Sequence, residues 1–136
     1  MDRYLDEAST GPQWLSKQEI ASIVADSFHH AAGALSFFTL HPWVIMPNHV
    51  HLLVTPLTAP ARFLQSVKGF TAREANRLLD RTGEPFWQHE SYDHWVRDDV
   101  QLRRIATYIE NNPIRAGLAV SVEDFCWSSA YGGVRE

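Results

Sequence analysis

The stretch Trp43-Val44-Ile45-Met46-Pro47-Asn48-His49-Val50-His51-Leu52-Leu53-Val54-Thr55 decides how the rest of the chain is read. Two apolar runs flank Met46-Pro47-Asn48, a turn-forming interruption, so the segment predicts a β-hairpin whose second strand begins near His49. Strand side chains alternate between faces, which puts His49, His51 and Leu53 on one side and Val50, Leu52 and Val54 on the other. One face can join a core while the other carries two imidazoles, a pair able to bind one divalent metal ion. Taken alone, His-x-His is common, and it is more often two partly exposed strand histidines than a metal site. A third ligand and a reactive group elsewhere in the chain are needed to raise it.

Composition bounds the reading around that hairpin. A length of 136 residues with 45% hydrophobic content suits one domain, 1–136, able to bury a core without disulfides or structural metal. No run approaches the roughly 20 apolar residues that span a bilayer, and no signal-peptide pattern opens the chain, so a cytoplasmic protein is expected. Cys126, between Phe125 and Trp127, is the single cysteine and is expected to be a buried, inert thiol. The net charge of −4 argues against a protein that simply coats nucleic acid. Arg62 to Arg115, however, holds nine Lys/Arg against eight Asp/Glu, and the remainder three against eight. A polyanion is therefore expected in a local groove of the middle segment.

In chain order, Met1 to Leu15 shows no clear period and predicts irregular structure. Ser16-Lys17-Gln18-Glu19 has the form of a capping box, and Ile20, Ile23, Val24, Phe28 and Ala31 follow at helical spacing up to Gly33. Leu35 to Ile45 predicts a strand, bent near His41-Pro42, that leads into the hairpin. Pro60 suits the first turn of a helix striped by Phe63, Leu64, Val67 and Phe70. Thr71-Ala72-Arg73-Glu74 resembles a second capping box, so this helix is expected to break at Gly69-Phe70 and restart. Arg62, Lys68, Arg73 and Arg77 lie along it as expected phosphate contacts. Phe86 to Val96 predicts one or two extended pieces, rich in rings of which one or two could stack on unpaired bases. Asp98 or Asp99 then caps a helix with Leu102, Ile105 and Ile109 inward, which is expected to stop by Asn112 because Pro113 follows. Ile114 to Glu136 predicts an irregular tail with a final edge strand.

Tyr108 and Asn112 are i and i+4 in that last helix, so a phenol and an amide oxygen share one face. If this face opposes His49 and His51, one site gathers two imidazoles, an amide and a tyrosine hydroxyl. Each has a plainer reading on its own: Tyr108 can border the core, and Asn112 is a common helix terminator.

Several segments taken together closely resemble the REP-associated tyrosine transposases. They are Met46-Pro47-Asn48-His49-Val50-His51-Leu52-Leu53-Val54, Phe86-Trp87-Gln88 with Tyr92-Asp93-His94, Val96-Arg97-Asp98, Tyr108 through Leu118, and Trp127-Ser128-Ser129-Ala130. That family is a branch of the IS200-like single-tyrosine HUH transposases, in which U is a hydrophobic residue, here Val50. The resemblance runs from about Tyr4 to Tyr131. It implies an α+β, ferredoxin-like (RRM-like) sandwich, an antiparallel sheet with helices packed on one face. By the same resemblance His49 and His51 are metal ligands, Asn112 the third ligand and Tyr108 the nucleophile. The implied reaction is cleavage and rejoining of single-stranded DNA beside hairpin sequences, through a 5′-phosphotyrosine link that leaves a free 3′-OH. Arg97 and Arg115 join the α-helical basic residues as expected DNA contacts.

Two imidazoles with an amide oxygen suit Mn²⁺ better than Mg²⁺, although abundant Mg²⁺ can fill such a site. Relatives begin with an additional strand ahead of a stretch like Arg3-Tyr4-Leu5-Asp6, so the sheet is expected to lack its first strand and to expose an edge open to a homodimer. Two other functions remain open at this point: a catalytically impaired or domesticated module that only binds hairpin DNA, and a zinc protein using the same histidines.

Overall fold

The computed structural model describes residues 1–11 and 13–135, with the side chains of all of these except 89–92. Four strands form one antiparallel sheet: β1 (Arg3–Ser9), β2 (Phe38–Ile45), β3 (His49–Pro56) and β4 (Trp87–Trp95). Their order is β2-β3-β1-β4, and α1 (Gln18–Ala32) and α2 (Pro60–Leu78) fall between them in the sequence, with α3 (Asp99–Arg115) after β4. The expected ferredoxin-like sandwich is therefore what the chain forms.

The alternation read from the hairpin sets the layers. Val50, Leu52 and Val54 pack with Leu5, Phe28, Ile20 and Phe63 in the larger core, which places α1 and α2 on that face. Leu53 instead joins Val44, Met46, Val96 and Ile109 in a smaller core beneath α3. The one-faced arrangement thus holds for α1 and α2, while the third helix lies on the opposite face, the one carrying the histidines.

Met1 to Leu15 departs from its reading. Arg3–Ser9 is a strand hydrogen-bonded to β3 on one side and β4 on the other, so it is a central strand of the sheet. Leu5, Glu7 and Ser9 point into the larger core, and the polar character of the last two hides the alternation. The histidine-bearing strand accordingly has a partner on each side, β2 and β1. Pro12 lies outside the described residues.

Four local expectations are also corrected. Ser16 does not cap α1: its hydroxyl donates to the Gln13 carbonyl at 2.6 Å within a short 3-10 turn, and Lys17 takes the N-cap position. α2 does not break at Gly69-Phe70, because Thr71 donates back to the Val67 carbonyl at 2.8 Å and receives the Trp87 indole N–H at 2.8 Å. α3 continues through Pro113 to Arg115; a proline this close to the helix end removes one backbone bond where few remain to be made. Cys126 is partly exposed rather than buried. The tail lies along β2, where Ile45 N–H donates to the Trp127 carbonyl and Ser129 N–H to the Trp43 carbonyl, so its edge strand is reduced to a single bridge. The bend in β2 falls between Leu40 and Trp43, as the His41-Pro42 pair predicts.

Candidate active site

The hairpin turn fixes the first histidine. Met46 N–H donates to the His49 carbonyl at 2.7 Å, closing the turn so that β3 begins at His49. The turn is then tied down from outside, with Ser9 N–H on the Asn48 carbonyl at 3.0 Å and Leu15 N–H on the Pro47 carbonyl at 2.9 Å. The β1–β3 register sets Asp6 opposite His51, Ala8 opposite His49 and Tyr4 opposite Leu53. The two imidazole centroids are 4.7 Å apart with their planes near perpendicular.

Each ring is held at Nδ1. The Tyr4 hydroxyl lies 2.7 Å from His51 Nδ1, and Asn48 Oδ1 lies 2.7 Å from His49 Nδ1. Asp6 Oδ2 is 3.6 Å from His51 Nδ1. His51 Nε2 is buried and has no hydrogen-bond partner. Burial, then His49 and Arg115, push His51 down to about 3, so its ring is neutral and the Asp6 contact is not an ion pair. Burial also lowers His49 against the pull of Asp6, and raises the Asp6 carboxyl against the pull of His49.

Helix α3 brings in the phenol. Asp98 caps it by accepting the Gln101 N–H at 2.8 Å, and Ile109, wholly buried, anchors it on Val44 and Leu53. That anchor turns the neighbouring Tyr108 towards the histidines: its ring centroid is 5.8 Å from that of His51, edge to face, and the residue is 42% exposed. Asn112 is buried one turn further along. Because the helix runs on past Pro113, Arg115 also reaches the site, with its guanidinium 4.0 Å above the Tyr108 ring.

The residues expected to contact DNA divide between the two faces. Arg115 stands on Tyr108, and Arg97 lines an open cleft of about 540 Å³ with Tyr4, Asp6, His94, Arg104 and Tyr108. Arg62, Lys68, Arg73 and Arg77 belong to α2 on the opposite layer; there Lys68 pairs with the buried Glu7 at 3.3 Å and Arg77 pairs with Glu74. Tyr4, Asp6, Asn48 and Arg104 gained no role in the sequence reading. The first two became visible as site residues only once Arg3–Ser9 was a strand, since alternation then aims both at β3. The Tyr92 side chain lies outside the described residues.

A family model described as transposase, IS200-like, matches residues 13–112, which include β2, β3, α2, β4 and α3 as far as Asn112. The chain belongs to the IS200-like transposase family. A REP-associated tyrosine transposase of Escherichia coli K12 is 25% identical over 101 residues, covering 71% of this chain and 57% of that protein. A Haemophilus influenzae protein provisionally given the same name is 28% identical over 102 residues, covering 67% and 58%. The chain thus spans less than three fifths of the curated relatives it matches. A solved REP-associated tyrosine transposase, bound to a REP hairpin, superposes with a TM-score of 0.72 at 18% identity over 94% of this chain and 75% of that one, which speaks for the fold.

The residues of this IS200-like site fit a divalent ion. Both imidazoles have oxygen partners at Nδ1, and His51 Nε2 is a buried nitrogen without a hydrogen-bond partner, a donor atom of the kind a divalent ion takes. Among the described residues no three His, Cys, Asp or Glu side chains are placed to hold a metal together.

His51 also makes the stability of this IS200-like domain pH-dependent. Folded, it takes a proton only near pH 3; unfolded, near its ordinary 6.5. Between those values the unfolded chain binds more protons, so the contribution is intact above about 6.5 and is lost as the pH falls. Denaturation in a chelator should show the protein about 1 kcal/mol less stable at pH 5.5 than at pH 7. His51→Gln should remove the larger part of that difference; an unchanged difference would contradict the burial argument.

Proposed function

We propose that this chain cleaves and rejoins single-stranded DNA beside hairpin sequences, using Tyr108 as the nucleophile and a divalent ion, Mn²⁺ or Mg²⁺, held by His49, His51 and Asn112. The observation that carries the reading is the approach of the Tyr108 ring, from a separate helix, to 5.8 Å from that of His51, itself 4.7 Å from that of His49. The Tyr108 oxygen would attack the phosphorus in line, forming a 5′-phosphotyrosine bond as the bond to the 3′ oxygen breaks; the phenol proton ends on that 3′ oxygen. A 3′-OH can then reverse the step, because the bond energy stays in the phosphotyrosine. The bound ion would reduce the charge on the non-bridging phosphate oxygens. Arg115, exposed and seated on the Tyr108 ring, holds the phenol plane and presents N–H groups towards the same phosphate. Arg97 takes the adjoining backbone along the cleft. The basic residues of α2 lie on the other layer, where Lys68 and Arg77 are paired with carboxylates.

The test is incubation of the full chain with a labelled single-stranded hairpin oligonucleotide and a divalent ion. A protein–DNA adduct that survives denaturation is expected, with at least as much formed in Mn²⁺ as in Mg²⁺. Binding of the oligonucleotide with no adduct in either metal would leave only a hairpin-binding module. Activity confined to Mg²⁺ would refute the nitrogen-rich ligand set.

A further inference from the structure

We infer that Tyr4 and Asn48 are positioning residues for the metal site: their oxygens hold the Nδ1 protons of His51 and His49, so that both imidazoles offer Nε2 to one ion. This rests on the metal reading given under Proposed function and extends it to two residues outside the ligand set.

The His49 half follows from the chemistry of an amide. Asn48 Oδ1 can only accept, so at 2.7 Å it requires the proton to sit on His49 Nδ1, and the lone pair of the neutral ring is then on Nε2. Asn48 is able to do this because its backbone is clamped. Its carbonyl accepts from Ser9 N–H at 3.0 Å, and the preceding Pro47 carbonyl accepts from Leu15 N–H at 2.9 Å. The side chain itself is exposed, so it bears no packing load that would explain its placement.

The His51 half follows from the distribution of oxygen around the ring. Two oxygens approach Nδ1, the Tyr4 hydroxyl at 2.7 Å and Asp6 Oδ2 at 3.6 Å. Nε2 is buried with no hydrogen-bond partner. Placing the proton on Nδ1 satisfies it there and leaves a lone pair on Nε2, which a cation can complete. The opposite tautomer would bury an N–H donor with no acceptor, the costlier arrangement. Tyr4 reaches Nδ1 from β1, where it lies two residues from Asp6 on the same face, opposite Leu53. The strand therefore supplies an orienting group from outside the hairpin that supplies the ligands. Groups that fix a ligating histidine in this way typically change metal affinity 10- to 100-fold when removed.

Calorimetric titration of the full chain with Mn²⁺ alone, in the absence of DNA, tests this. Tyr4→Phe and Asn48→Ala should each bind Mn²⁺ about 10- to 100-fold more weakly. Asn48→Asp, which keeps an acceptor at the same place, should stay within a few-fold of the unsubstituted protein. Metal-free thermal midpoints should move by only a few degrees, whereas a purely structural role would lower the midpoint and leave the affinity intact. Wild-type Mn²⁺ affinity in both Tyr4→Phe and Asn48→Ala would overturn the inference. His51→Ala separates the two levels of the claim: if it binds Mn²⁺ as well as the unsubstituted chain does, the metal reading itself fails and the positioning role falls with it. Long-range proton–nitrogen spectra of the unsubstituted metal-free protein give an answer that needs no variant to fold. Both rings should carry their proton on Nδ1, and a proton on Nε2 of either would overturn the assignment.

Discussion

Tyr108→Phe is expected to abolish the denaturation-resistant DNA adduct, lowering its rate of formation on the order of 10³-fold or more, because the oxygen that forms the covalent bond is gone and nothing replaces it. The same substitution should leave oligonucleotide affinity within about 3-fold, since the ring that carries Arg115 and faces His51 is retained. It should also leave the fold intact. Tyr108 is 42% exposed, and α3 is anchored by its neighbour Ile109 rather than by the phenol. Loss of the adduct together with loss of binding would indicate that Tyr108 holds the strand rather than attacks it. Retention of the adduct would assign the chemistry elsewhere.

The largest effect on stability is expected at Ile109. Among the described residues the smaller core has five buried members, Val44, Met46, Leu53, Val96 and Ile109, and of these Ile109 alone comes from α3. Ile109→Ala should cost about 2–5 kcal/mol, the usual range for emptying a buried site of this size, against the roughly 5–15 kcal/mol that holds a domain folded. Ile109→Val, which removes one methylene, should cost about 0.5–1.5 kcal/mol. Denaturant midpoints measure both. Because Ile109 precedes the helical turn that carries Asn112 and follows Tyr108 directly, the alanine variant should also slow adduct formation at temperatures where it is still folded. A loss below about 1 kcal/mol would mean that α3 is held chiefly by something other than this core.

Much of this was legible in the sequence, and the failures have specific causes. The hairpin announced itself because Val50, Leu52 and Val54 are uniformly apolar while His49 and His51 are not, so alternation and turn chemistry agreed. The strand Arg3–Ser9 was illegible because Glu7 and Ser9 occupy inward positions, each only 5% and 3% exposed, where the pattern calls for apolar residues. Only the structure shows Lys68 reaching Glu7 from α2. The site suffered in turn: Tyr4 and Asp6 could not be assigned to it while their segment was read as irregular. Pro113 misled in the other direction. Its local preference to end a helix was outweighed by the packing of Ile109, and the extra turn is what delivers Arg115 to Tyr108. Thr71 shows the same competition, since its hydroxyl serves Trp87 and its own helix rather than a new helix start.

The central claim is that Tyr108, and no other tyrosine, becomes joined to DNA at the paired histidines. Tyr4 is the discriminating rival, because its ring centroid, like that of Tyr108, is 5.8 Å from that of His51, and its hydroxyl lies 2.7 Å from His51 Nδ1. In the proposed reaction that hydroxyl is a fixed acceptor and Tyr108 is the nucleophile. The decisive measurement is mass spectrometry of the covalent adduct formed with a hairpin oligonucleotide and Mn²⁺, after nuclease and protease digestion. The account predicts a nucleotide phosphate on the peptide containing Tyr108. A phosphate on the peptide containing Tyr4, or no nucleotide-bearing peptide from a protein that binds the oligonucleotide, would contradict it.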